Sequence, residues 1–91
     1  MIEEKELFEI IGKNVKYYRQ LYNLNNEKLT QEQLAEKINV STALIGNLES
    51  NKIIQGISVI TLYRLSKVLE VPINKFFELP PNINKKSTGK N

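Results

Sequence analysis

Apolar side chains recur at helical spacing from near the start of the chain. Leu7, Ile11, Val15, Tyr18 and Tyr22 follow one another at steps of three and four, which places them on one face of a helix over about residues 4–22. Asn23-Leu24-Asn25-Asn26 predicts its end, because Asn tolerates the left-handed backbone of a helix stop. Thr30-Gln31-Glu32-Gln33 has the form of a capping box and opens a short second helix, with Leu34 and Ile38 four apart and a stop near Asn39. Ser41 caps a third helix carrying Leu44, Ile45 and Leu48, with Asn51 as its stop. Lys52 to Ile57 is a predicted loop with Gly56 as breaker. Ser58 caps a fourth helix bearing Leu62, Leu65 and Leu69. Pro72 suits the first turn of a short fifth helix through Phe77, and Pro80-Pro81 ends it. No strand-like alternation and no repeat interrupts this pattern. The expected fold is all-α, a compact five-helix domain over residues 1–79, followed by a polar, basic, disordered tail over residues 80–91.

Composition narrows the chemistry. The 91 residues allow one core. Cys, His and Trp are absent, so disulfides and the usual zinc ligand sets are excluded, and no metal or cofactor is expected. The absence of disulfides fits a reducing compartment. The acidic start Met1-Ile2-Glu3-Glu4-Lys5-Glu6 lacks the apolar stretch of a signal peptide, and no run is long enough to span a membrane. A cytoplasmic protein is expected. Net charge is +3, and the isoelectric point near 9.2 permits nucleic acid or an anionic surface as partner without selecting either. Glu, Lys, Ser and Tyr are scattered with no nucleophile–base set and no glycine-rich phosphate loop, so the chain does not read as an enzyme.

The window Gln31–Ser50 carries the functional signal. A helix-turn-helix crosses two short helices near a right angle, so their contact is small and must be well filled. Leu34, Ile38, Val40, Ile45 and Leu48 would form its apolar seam. Ala35 would lie at the closest approach, and Asn39 occupies the turn where positive φ is needed. No proline falls inside either helix.

These residues resemble the Cro/repressor-type, or xenobiotic response element (XRE), helix-turn-helix family. The matching stretches are Leu29 to Lys37, Val40-Ser41, Ile45 and Leu48-Glu49. Ile11-Gly12, Val15 and Tyr18-Arg19 match upstream, and Thr61-Leu62 to Leu69 and Val71 to Phe77 match downstream. The resemblance covers about residues 10–78. It implies a five-helix DNA-binding domain that regulates transcription, usually as a homodimer. There are departures. The segment between Arg19 and Leu29 is several residues longer than the family's turn, and that between Glu49 and Leu62 is slightly longer. Asn51 stands where Gly is common, and the Pro before the fourth helix is missing. Gly46 is unusual in a recognition helix and leaves two readings open, a close approach or drift.

The docking mode of such motifs puts the third helix in the major groove, N-terminal half to the bases. Thr42, Ala43 and Asn47 are the expected base contacts: Asn can pair with adenine twice, and the Thr and Ala methyls can meet the thymine methyl. As no Arg or Lys lies between Ser41 and Ser50, an A·T-leaning half-site is expected. Gln31 at the start of the second helix, with Asn51 and Lys52 past the third, are the expected DNA-backbone contacts. Lys13, Lys16, Lys37, Lys85, Lys86 and Lys90 read as solvated charges that add to the field. The resemblance pairs Arg19 with Glu49 in a structural ion pair between the first and third helices. Ile60, Tyr63, Ile73, Phe76 and Phe77 supply apolar surface for a two-fold dimer interface on a pseudo-palindromic operator. The expected function is a sequence-specific duplex-DNA-binding regulator, a repressor in a bacterium or phage. The alternatives are an antitoxin that also binds its own promoter and a coactivator-like bridging module.

Overall fold

The first helix, α1, spans Glu4–Asn25 and starts with Glu4 and Glu6 in its first turn, where acidic side chains meet the positive end of the helix dipole. It runs past Tyr22 to Asn25, and the asparagines do not stop it through the left-handed region: Asn26 is extended, with φ −144°. The computed structural model describes residues 3–81, and the expected tail beyond Pro81, with Lys85, Lys86 and Lys90, lies outside the described residues. Three further helices follow, α2 Gln31–Ile38, α3 Thr42–Ser50 and α4 Val59–Leu69, then a short 3-10 helix Ile73–Phe77. The described residues are thus all-helical, with the fifth element a 3-10 turn in place of an α-helix. Pro72 sits just before that element as its cap residue.

The helix starts and stops follow local chemistry. Ser58 accepts the Thr61 amide at 3.1 Å to start α4. Glu70 ends α4 in the left-handed region at φ 60°, a conformation that costs a non-glycine residue about 1 kcal/mol. The expected breaker Gly56 has no positive φ.

The core joins one face of α1 (Ile11, Val15) to Leu34, Ala35 and Ile38 of α2, Ile45 of α3, Leu62, Leu65 and Leu69 of α4, and Phe76. α3 packs against both α1 and α2, and α4 lies on α2. Arg64 of α4 donates to the Ile38 carbonyl at 3.2 Å, which satisfies one of the orphan acceptors at the end of α2. Two α1 residues set where its neighbours sit. At Gly12 the backbones of α1 and α3 touch: a methyl there would overlap the Leu48 carbonyl oxygen and lie 2.9 Å from its carbon. Fully buried Asn14 donates through Nδ2 to the Phe76 carbonyl at 2.9 Å and the Glu78 carbonyl at 2.6 Å, fastening the 3-10 helix to α1.

Phe76 corrects one sequence-based expectation. It is 0% exposed and meets Tyr18 edge-on, with ring centroids 5.9 Å apart, so it belongs to the core of the single chain and offers nothing to a dimer surface. Burial pushes the Tyr18 phenol above its usual range, with Tyr17 and Glu78 adding to the effect.

Candidate nucleic-acid interface

The two helices of the motif are fixed locally before they are packed. The Thr30 hydroxyl accepts the Gln33 amide at 3.0 Å while the Gln33 side chain accepts the Thr30 amide at 2.9 Å, so both arms of the capping box are made. Asn39 leaves α2 at φ 62°, and the Val40 amide reaches back to the Ala35 carbonyl at 3.0 Å. Ser41 then accepts the Leu44 amide at 3.1 Å and starts α3, which Asn51 stops at φ 59°. Leu34, Ala35, Ile38, Ile45 and Leu48 are buried, and Val40 is half-buried and packed on the core.

A polar cluster ties this unit to α1. Arg19 Nε and Nη2 donate to the two Glu49 carboxylate oxygens, each at 2.8 Å, a bidentate pair whose Glu49 side chain is 2% exposed. Arg19 Nη1 also donates to the Leu29 carbonyl at 3.1 Å, and the bond to Glu49 holds the guanidinium pKa above its ordinary value. Gln31 Nε2 donates to Glu49 Oε1 at 2.9 Å. One carboxylate therefore joins the starts of α2, the end of α3 and the middle of α1. The Gln31 side-chain amide, expected to be available to DNA, has one of its two hydrogens committed to Glu49. The backbone amides of Gln31 and Glu32 have no acceptor within the helix.

The outward side of α3 presents Thr42 and Ala43 exposed, with Leu44, Gly46 and Asn47 half-buried. A Cβ on Gly46 would make only ordinary contact, 3.7 Å from Gln31 Oε1, so no neighbouring helix requires this glycine. Asn47 Nδ2 donates to Gln55 Oε1 at 3.2 Å, and Gln55 Nε2 donates to the Gly56 carbonyl at 3.0 Å. Lys52 is exposed, whereas Asn51 is half-buried with its side-chain oxygen against Gly12. Lys13, Lys16, Tyr17 and Gln20 rim a shallow hollow whose other wall is Glu49, so these α1 residues flank the motif.

Residues 15–76 match the family model described as helix-turn-helix. The chain belongs to the helix-turn-helix family. Members of this XRE-type family are DNA-binding transcription regulators, not enzymes, and duplex DNA is the partner that membership implies. No match is found among curated proteins. Within the helix-turn-helix frame, sequence reasoning missed Gly12 and Asn14 as packing determinants and Gln55 as a partner of α3. Among the described residues no helix is long and apolar enough to cross a membrane.

The remaining dimer candidates are on the surface: Ile60 is 54% exposed, Tyr63 49%, Phe77 46% and Ile73 38%. Val59 and Leu79, which the hydrophobic pattern did not single out, are more exposed still. Lys67 Nζ lies 5.5 Å from the centre of the Tyr63 ring, close enough for a cation–π contact.

Proposed function

We propose that this helix-turn-helix protein is a cytoplasmic, sequence-specific repressor whose α3 reads the major groove, with residues 1–79 as the DNA-binding unit. The observation that carries the reading is the outward side of α3. Thr42 and Ala43 are exposed at its N-terminal half, with Asn47 one turn on, while Glu49 on the inward side is locked to Arg19 and Gln31. Such a helix is presented rigidly, which is what base readout needs. Thr42, Ala43 and Asn47 contact bases, and the absence of Arg and Lys from α3 makes the half-site lean to A·T. Phosphates meet the free amides of Gln31 and Glu32 and the ammonium of Lys52, and Asn51 contributes through its backbone position. Two copies associate through Ile60, Tyr63, Ile73 and Phe77, which doubles the contacts and fits half-sites about 34 Å apart on a pseudo-palindromic operator.

Selection of bound duplexes from a random pool, followed by affinity measurements across salt concentrations, tests this. Log affinity falls linearly with log salt. Asn47→Ala relaxes preference at a defined position, by about 1–3 kcal/mol of discrimination. Lys52→Ala weakens all duplexes alike and lowers the salt slope by about 1. A consensus dominated by G·C opposite α3 refutes the base assignment, and a protein that sediments as a monomer on its operator refutes the dimer.

A further inference from the structure

Beyond the bond from the Lys52 amide to the Ser50 hydroxyl beside it, the loop after α3 reaches back to the middle of the recognition helix through the hydrogen bond from Asn47 Nδ2 to Gln55 Oε1. We infer that Gln55 is a positioning residue for base recognition: it sets the orientation of the Asn47 amide so that its free edge matches adenine. The inference rests on the groove-reading role of α3 and extends it to a residue outside the motif.

The argument is one of directional bonds. A side-chain amide can turn over and exchange its oxygen and nitrogen at little cost when both ends face water. The Gly56 carbonyl, part of the backbone, cannot. It accepts from Gln55 Nε2 at 3.0 Å, which fixes that amide with Oε1 turned toward Asn47. Oε1 accepts only, so Asn47 must offer Nδ2. Reversing Asn47 alone would oppose two oxygens; reversing both would set Gln55 Oε1 against the Gly56 oxygen. The chain Gly56–Gln55–Asn47 therefore has one favourable sense.

Within the described residues the Asn47 amide is bonded through Nδ2 to Gln55, which leaves one N–H and the Oδ1 acceptor. Adenine presents in the major groove an acceptor at N7 and a donor at N6. Those two groups take one N–H and one oxygen from a single amide edge, which is what Gln55 leaves unused. Guanine presents two acceptors there, so a fixed amide oxygen meets the guanine O6 unfavourably. Gln55 thus acts on the choice of base while itself needing no contact with DNA.

The test uses the full chain on its selected duplex and on three duplexes altered at the position where Asn47→Ala relaxes preference. Gln55→Ala is expected to reduce the preference for adenine there by about three- to tenfold, the worth of one neutral hydrogen bond, with the salt slope unchanged. Added to Asn47→Ala it has no further effect on preference. Gln55→Glu keeps an oxygen facing Asn47 and retains the preference, while its charge lowers affinity for every duplex alike. If Asn47→Ala relaxes preference and Gln55→Ala does not, or Gln55→Ala weakens all duplexes equally, the positioning role is overturned and the reading of α3 stands. If the wild-type chain binds no duplex selectively, both fall.

Discussion

The contact of α1 with α3 at Gly12 gives the sharpest test of how α3 is held. A methyl built on Gly12 would overlap the Leu48 carbonyl oxygen, lie 2.9 Å from the carbonyl carbon and 3.2 Å from Asn51 Oδ1. Two of these three atoms are backbone, in the last turn of α3, and cannot rotate aside. The helices must separate. Overpacking of this kind costs typically 1–3 kcal/mol, and backbone obstruction places it near the upper end, about 3 kcal/mol. Alanine regains about 1 kcal/mol of helix propensity over glycine. Gly12→Ala is therefore expected to destabilise the domain by about 2 kcal/mol and lower Tm by about 8–16 °C. Gly46→Ala is the matched control. Its Cβ would meet nothing closer than Gln31 Oε1 at 3.7 Å, so the propensity gain stands and the domain is stabilised by up to about 1 kcal/mol. Thermal and urea unfolding of both variants read the difference. A Gly12→Ala protein as stable as the wild type, or destabilisation equal at both glycines, would refute the argument that backbone contact positions α3.

Two further outcomes follow from the polar groups. Arg19→Ala leaves the Glu49 carboxylate, 2% exposed, with only Gln31 and is expected to cost about 3 kcal/mol in urea unfolding, the low end for breaking a buried pair, because Gln31 Nε2 still serves one oxygen; a loss below about 0.5 kcal/mol, the level of an ordinary surface change, would contradict it. Tyr18 holds its proton more tightly in the fold than in the unfolded chain, so the fold binds more protons there and stability falls as pH rises through about 10; Tyr18→Phe should flatten that fall in urea midpoints measured from pH 8 to 11, and an identical slope in both proteins would argue against it.

Legibility differed by the kind of physics involved. The caps at Thr30, Ser41 and Ser58 and the left-handed stops at Asn39 and Asn51 were readable because a cap is satisfied within three or four residues. The all-helical class followed from apolar spacing for the same reason. The 3-10 geometry of Ile73–Phe77 was not readable, since a five-residue element takes its form from what holds it, here Asn14 on α1.

The sequence by itself determined where the chain turns, which faces are apolar, and which window could be a helix-turn-helix, because each depends on neighbours a few residues apart. Tertiary structure alone decided three things. It buried Phe76 where the pattern had offered it to a partner, because helical periodicity gives a face but not the depth of its cover. It made Gly12 a backbone contact, because an absent side chain leaves no periodic signal. It joined Asn47 to Gln55, because two side-chain amides eight residues apart are brought together only once the loop after α3 has found its path.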